Sequence, residues 1–292
     1  MRTLDSTTSL RIAVQKSGRL TDKTLKLLDG IGLKFDDYKR SLLIKCLNFD
    51  VELLLIRDDD IPEYVEDGVC DLGFVGANTV AEDEADVTIL RGLGYGVCRL
   101  SIAVQKNGTI RTVEDFAGKK IATSYPVLTR KYFDSKNIDV DIITLSGSVE
   151  IAPRLEIADA ITDLVSTGGT LKANGLQELE TIFDSETQLI QTNKPLSDGK
   201  KHLIEKILQR IEGYKKAAES RYIMMNAPQE SVPQIKEIIP SLKSPTVMPL
   251  ADNGMVAIHT VIPLSTFWDV MEQLKEAGAT GIVMLPIESM IV

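Results

Sequence analysis

Apolar and polar positions along the chain alternate between two rhythms. Leu10–Gln15 (LRIAVQ), Val51–Ile56 (VELLLI) and Asp71–Val75 (DLGFV) are short apolar runs of strand length. Between them, Thr21–Leu28 repeats its apolar residues at helical spacing and stops at Gly30, with Ser17 or Thr21 placed to cap it. Ile61–Asp67 predicts a short helix, with Pro62 in its first turn and Gly68 beyond its end. A second series begins near Arg99. Its strands are Leu100–Gln105, Lys119–Thr123, Asp141–Thr144 and Ala158–Val165, and its helices are Val113–Ala117, Leu128–Lys136, Val149–Leu155 and one starting at Thr170 and running to Leu176. Strand-like runs follow over Thr181–Thr192, then a long amphipathic helix over Lys200–Ser220. Strands alternating with helices predict a largely parallel α/β sheet.

The last stretch has its own order. Arg221–Asn226 reads as a strand, Ser231–Ile239 as a helix, Pro245–Leu250 and Met255–Ile262 as strands, Phe267–Ala277 as a helix and Thr280–Pro286 as a strand. Asp252-Asn253-Gly254 between the two middle strands is a hairpin signal. The pattern β-α-β-β-α-β is that of a ferredoxin-like domain.

At 292 residues the chain is long enough for two or three domains. With 43% hydrophobic and 26% charged residues it has the makings of ordinary globular cores. Its 33 basic and 42 acidic side chains leave a net charge of -9, which argues against an extended nucleic-acid surface. An anionic ligand would then need a focused site made of backbone N–H groups, a few Lys or Arg, or a metal. Cys46, Cys70 and Cys98 are odd in number and widely spaced, and so read as free thiols of a reducing compartment rather than a disulfide framework or zinc site. Two histidines, His202 and His259, give too little material for histidine-based metal sites or a Ser-His-Asp triad. No stretch has the length of a bilayer span, and the N-terminus lacks the basic-then-apolar form of a leader, so a cytoplasmic protein is expected.

The candidate chemistry centres on Asp163–Leu171 (DLVSTGGTL), where an apolar strand runs into two hydroxyl residues, a Gly pair and a helix start. Backbone N–H groups and a helix dipole converge at such a turn, and glycine permits close approach and positive φ. Ser166, Thr167 and Thr170 add hydroxyl donors around Gly168 and Gly169. The requirements of a phosphate cradle are present, but neither the Walker A nor the dinucleotide pattern is. By itself the turn could equally be only a tight connection. Asp163 just before it is placed to take ribose hydroxyls, directly or through Mg²⁺, or to cap the strand end.

Glu150–Leu171 (EIAPRLEIADAITDLVSTGGTL) resembles the signature segment of the ATP phosphoribosyltransferases, and the similarity extends over nearly the whole chain. It includes Ala13–Leu20 (AVQKSGRL), Arg57–Pro62 (RDDDIP), Asp71-Leu72-Gly73, Ala122–Pro126 (ATSYP) and Ser220–Met225 (SRYIMM). The C-terminal pattern matches the extra domain of the family's long form. The resemblance implies a two-lobed catalytic core like a type II periplasmic binding protein, followed by a ferredoxin-like, ACT-like regulatory domain. Residues 1–98 with 192–220 would form the first lobe, 99–191 the second and 221–292 the regulatory domain. The implied reaction joins N1 of the adenine of ATP to C1 of phosphoribosyl pyrophosphate (PRPP), releases pyrophosphate and requires Mg²⁺. Glu150, Asp163, Ser166, Thr167, Gly168, Gly169 and Thr170 would hold PRPP. Gln15, Gly18, Asp71, Tyr125 and Arg130 would contact ATP, and Lys16, Arg19 and Arg154 would stabilise the departing pyrophosphate. Metal ligands are not assigned, since Mg²⁺ would arrive on PRPP, with Asp163 a possible contact. L-Histidine would inhibit through Leu242, Ser244, Thr246, Val261, Ala279 and Gly281. Homodimers and hexamers are implied, without nucleic acid or membrane.

Asp58-Asp59-Asp60 could bind Mg²⁺, or could serve helix capping and inter-subunit contacts, three acids suiting the positive end of the helix that follows. Competing functions are a solute-binding protein of the same fold, an inactive regulatory subunit, and a nucleic-acid or partner-binding module. The absent leader, the intact DLVSTGGTL segment and the acidic balance respectively count against them.

Overall fold

In a computed structural model, residues 9–36, 41–239 and 244–291 are described. The elements are β1 (Leu10–Gln15), α1 (Thr21–Gly30), β2 (Leu43–Lys45), β3 (Val51–Ile56), α2 (Ile61–Glu66), β4 (Leu72–Gly76), α3 (Ala77–Glu82), β5 (Val87–Gly92), β6 (Cys98–Gln105), β7 (Lys120–Thr123), α4 (Pro126–Ser135), β8 (Asp141–Thr144), β9 (Ala160–Val165), α5 (Gly169–Ala173), β10 (Leu176–Ser185), β11 (Thr187–Thr192), α6 (Asp198–Ala218), β12 (Ser220–Pro228), α7 (Val232–Ile238), β13 (Thr246–Pro249), β14 (Met255–Pro263), α8 (Phe267–Glu276) and β15 (Thr280–Pro286). They form two compact units, residues 1–26 with 34–200 and residues 27–33 with 201–292.

The first unit holds two sheets. One has strand order β2-β3-β1-β4-β11-β5 and the other β10-β6-β9-β7-β8. This is the two-lobed α/β core expected. The sheets are mixed rather than largely parallel, which corrects the reading from strand–helix alternation. β1 runs parallel to β3 and β4, and β7 parallel to β8 and β9. β11 is antiparallel to β4 and β5, and β6 is antiparallel to β9 and β10. The cause is the route of the chain. It leaves the first sheet after β5, enters the second through β6, and returns from β10 into β11; β6 and β11, the strands entered at each crossing, oppose the βαβ series, while β5 and β10 run with it. β11 lies between β4 and β5, and the chain therefore re-enters the first sheet at Thr187 rather than near Thr192. The helix expected over Thr170–Leu176 ends at Ala173, and Leu176 already starts β10.

Packing explains the local sequence. Ala13, Ile61, Val65, Cys70, Val75, Val80 and Ile190 make one core of the first lobe. A Cβ at Gly73 would lie 2.7 Å from Ile61 Cγ2 and 2.9 Å from Val65 Cγ2, so glycine there lets α2 sit on β4. In the second lobe alternate residues face opposite cores. Ile102, Val104, Ile121 and Ala160 join Phe116 and Phe133 on one side, and Ala103, Ala122 and Ile161 join Val165, Leu171 and Leu176 on the other. Helices and turns thus cover both faces, as a sheet containing parallel pairs requires.

The second unit contains a four-stranded antiparallel sheet of order β13-β14-β12-β15, with the β-α-β-β-α-β connection predicted. Its core joins Ile223, Met225 and Ile258 to Ile235, Phe267 and Leu274 of the helices. The α6 segment from Lys201 belongs to this unit and not to the first lobe. Arg210 Nη1 donates to Ile31 O at 2.9 Å, and a Cβ at Gly213 would meet Met290 O at 2.6 Å.

Candidate active site

A cavity of about 600 Å³ opens in the first unit where the parallel strands of both lobes end. This is the position where open α/β sheets bind ligands, because strand ends and helix starts present free backbone groups there. From the first lobe it is lined by Gln15 at the end of β1, Arg19, Leu20 and Lys23 in and after the next turn, Asp58 after β3, and Gly76 and Asn78 at the β4–α3 junction. From the second come Tyr125 before α4, Glu150, and the whole of Asp163–Leu171. Gly96, Val97 and Cys98, where the chain crosses between the lobes, complete it.

The Gly-rich turn is open towards this space. Gly168 has φ 76° and ψ 4°, and no atom lies within 4 Å of the point where its Cβ would stand. α5 has only five residues, so its dipole is small. The free N–H groups of its first turn and the exposed hydroxyl residues Ser166, Thr167 and Thr170 are the stronger feature.

The lining mixes charges. Arg19 and Lys23 face Asp58, Glu150 and Asp163. Burial holds the Asp163 carboxyl above its ordinary value; the Leu164 N–H and Arg19 pull it down, while Glu150 pushes it up. Asp58 is pushed up to about 6, by burial first and then by Asp59, with the Thr79 hydroxyl acting against them. Its Oδ2 accepts from Thr79 Oγ1 at 3.5 Å, and its buried Oδ1 has no partner. It lies in the first turn that Asp58-Asp59-Asp60 form, without a side-chain cap bond. The Tyr125 hydroxyl is raised by burial and by the carboxylates of Asp163, Asp59 and Asp58. Burial also raises the Cys98 thiol, with the Ser185 hydroxyl and Arg19 acting against it.

One wall is an amide-centred network. Asn78 Nδ2 donates towards Thr79 Oγ1 at 3.3 Å and the Tyr125 hydroxyl at 3.4 Å. Ser185 Oγ donates to Asn78 Oδ1 at 2.8 Å and accepts from Asn78 N at 3.1 Å. Opposite, Gln15 Oε1 accepts from Leu20 N at 3.3 Å, which orders the turn that carries Arg19.

Family-model matching assigns residues 57–213 to "ATP phosphoribosyltransferase" and residues 217–289 to "HisG, C-terminal domain". The chain belongs to the ATP phosphoribosyltransferase family. An ATP phosphoribosyltransferase of Phocaeicola vulgatus is 46% identical over 282 residues, 97% of this chain and 99% of that protein. One of Bacteroides thetaiotaomicron is 46% identical over 283 residues, covering 97% and 100%. A solved chain from the ATP phosphoribosyl transferase (HisG:HisZ) complex of Thermotoga maritima superposes with a TM-score of 0.59 at 32% identity, covering 70% of this chain and 98% of that one.

As an ATP phosphoribosyltransferase the chain brings Gln15, Arg19, Tyr125, Glu150, Asp163, Ser166, Thr167, Gly168, Gly169 and Thr170 around one cavity. Lys16 and Gly18 lie in the turn beside Gln15 but do not line it. Asp71 is elsewhere. It precedes β4, whereas the cavity is at that strand's far end, and it is only 4% exposed. There it accepts from Lys200 Nζ at 2.8 and 2.9 Å and from Arg11 N at 2.8 Å, and it does not line the cavity. Arg130 in α4 and the exposed Arg154 do not reach the lining either.

Of the expected histidine contacts, Leu242 lies outside the described residues. Thr246 pairs with His259 and Val261 with Tyr222 on the β13–β14–β12 side, and Ser244 is exposed just before β13. Ala279 is buried, and Gly281 sits on β15 near Asn226, on the other edge. Three strand spacings, roughly 14 Å, separate the edges, so one chain does not gather these residues into one pocket.

Leu20, Lys23, Asn78, Gly96, Val97 and Cys98 line the cavity and were not singled out from the sequence. Asn78 had a usable signal. It follows a buried strand ending in Gly76, the same strand-to-turn logic that pointed to Gly168.

Proposed function

We propose that this ATP phosphoribosyltransferase transfers the phosphoribosyl group of PRPP to N1 of ATP, with release of pyrophosphate, and is inhibited by histidine. The observation that carries the reading is the enclosure of the entire Asp163–Leu171 segment, Gly-rich turn included, in one cavity with Arg19 and Gln15. In it the N1–C1 bond forms as the C1–oxygen bond to pyrophosphate breaks, and the leaving group takes that electron pair. The turn's N–H groups and hydroxyls bind the 5′-phosphate, and Asp163 faces the ribose. Arg19 and Lys23 take part of the pyrophosphate charge. N1 attacks as a neutral nucleophile, so the site needs orientation more than a strong base.

Asp58, Glu150 and Asp163 outnumber the two cations of the lining, and two polyphosphates add further negative charge. Carboxylate oxygens are the donors Mg²⁺ takes, and Asp58 Oδ1 has no hydrogen-bond partner. Among the described residues no three His, Cys, Asp or Glu are grouped to hold a metal alone, which supports Mg²⁺ entering on PRPP. Bound there, it would neutralise the departing pyrophosphate. Glu150 and Asp163 are the carboxylates we assign to meet it.

The C-terminal unit is the proposed histidine-responsive domain, on the strength of its family match. The expected contacts are split across its sheet, which favours a site completed by a second copy and so the homodimers and hexamers of the long form. We place the protein in the cytosol; no helix among the described residues is long and apolar enough to cross a membrane.

The test mixes purified protein with ATP, PRPP and Mg²⁺, and follows adduct and pyrophosphate with and without histidine. Adduct suppressed by histidine is expected. No adduct from folded protein that binds PRPP would overturn the transferase reading, and adduct insensitive to histidine would overturn the regulatory one.

A further inference from the structure

The two lobes of the first unit touch at a second place besides the chain crossings. α3 follows β4 of the first sheet and α4 follows β7 of the second. Glu82, the last residue of α3, sends its carboxylate to the start of α4. Val127 N donates to Oε1 at 2.8 Å and Leu128 N to Oε2 at 2.9 Å.

The bookkeeping of donors at that helix end is complete. Tyr125 at the N-cap makes no side-chain cap, Pro126 has no N–H, and Thr129 N already donates to Tyr125 O at 3.0 Å. Every first-turn donor of α4 without a partner in its own lobe is therefore satisfied by Glu82. The pair is charge-assisted and uses both carboxylate oxygens, which fixes direction as well as distance.

The same helix pair carries a wall of the cavity. Asn78 in α3 and Tyr125 just before α4 both line it, and Asn78 Nδ2 faces the Tyr125 hydroxyl. The other end of α3 is tied to the crossings. Ala77 N donates to Glu186 O at 2.9 Å, and Glu186 Oε2 accepts from Gly94 N at 2.6 Å. Around the cavity the lobes thus have a hinge, at Gly94 and Glu186, and a strut, at Glu82.

We propose that Glu82 is a positioning residue for the phosphoribosyl transfer. It sets the angle between the lobes before substrate arrives, so that Tyr125 and Asn78 already form one wall opposite the phosphate turn. The inference rests on the transferase reading for its kinetic arm and not for its structural one. Without Glu82 the lobes sample open arrangements, and substrate binding must select the competent one. That raises KM and leaves kcat largely intact, because bound substrates themselves bridge the lobes.

The experiment compares the full-length wild type with Glu82→Ala and Glu82→Gln, the latter keeping size and one acceptor oxygen. Amide hydrogen exchange is followed without substrates in segments 92–98 and 125–131, alongside steady-state kinetics. In Glu82→Ala both segments should exchange faster, and saturating substrates should restore the hinge segment. KM for ATP should rise about tenfold with kcat within about twofold, and Glu82→Gln should fall between. Faster exchange confined to 125–131, with unchanged KM, would overturn the proposal and leave Glu82 as a local helix cap. If the wild type makes no adduct, the transferase reading fails by itself. The hinge segment still decides the strut: loosening supports it, and unchanged exchange overturns it.

Discussion

Replacing Gly168 by alanine tests the phosphate turn most directly. Gly168 sits at φ 76°, in the left-handed region, where an L-residue costs roughly 1–2 kcal/mol. No protein atom lies within 4 Å of the new Cβ, so no clash adds to that strain. Gly169 is the internal control. Its φ is not positive, and its Cβ would have only Thr167 Oγ1 at 3.8 Å, an ordinary contact. The Ser166–Thr167 turn is exposed and can relax in the free protein, so the strain should reappear when PRPP demands the native turn. The expected result is a loss of roughly five- to thirty-fold in PRPP affinity for Gly168→Ala. Gly169→Ala should stay within about twofold. A valine at 168 should lose more, because its branches also enter the space meant for phosphate. Isothermal titration with PRPP and Mg²⁺ gives the affinities, and denaturant unfolding gives any part of the strain paid in stability. If Gly168→Ala matches wild type in both, or Gly169→Ala loses as much, the cradle is wrongly placed.

Two further outcomes follow from buried carboxylates. Lys200→Met strips Asp71 of its ion-pair partner in a nearly dry site and should cost about 3 kcal/mol in urea unfolding, without changing KM for ATP; a raised KM with intact stability would return Asp71 to the substrate site. Asp58 has a folded value of about 6 against an ordinary 3.8, so the native state holds the extra proton between them and stability falls as pH rises through that window. Asp58→Asn escapes this loss: it should be more stable than wild type by about 3 kcal/mol at pH 8 and equal to it below about pH 3.5, and a gain that is the same at both pH values would refute the titration of Asp58 as its source.

Much of the site was legible because its signals are local. A strand running into Ser-Thr-Gly-Gly-Thr must present N–H groups and hydroxyls at a turn, whatever packs around it. Gln15 and Arg19 were reached only through the family resemblance, and the fold brings them to the cavity at the turn after the first strand. Asp71, Arg130 and Arg154 are not brought there. A carboxylate beside an apolar strand looks alike at either end, and only the fold decides whether it meets solvent, ligand or, as here, Lys200. Asp58 read as a helix-start charge, yet its buried Oδ1 has no partner along its own chain segment.

The sequence alone determined the element order of the C-terminal β-α-β-β-α-β segment and most of that of the first unit, where it missed β2, α3 and β5, and the chemistry of the Gly-rich turn, from residue types adjacent along the chain. It also determined the family, through segments spread from Ala13 to Met225. Tertiary structure decided what depends on distant residues meeting. The opposed directions of β6 and β11 follow from the chain crossing twice between sheets. Asn78, Tyr125 and Glu82 acquire their roles only when α3 and α4 come together, and Asp71 loses its expected one when α6 delivers Lys200. Local chemistry is written in neighbours along the chain; these contacts join residues 45 to 129 positions apart, and no short-range pattern encodes them.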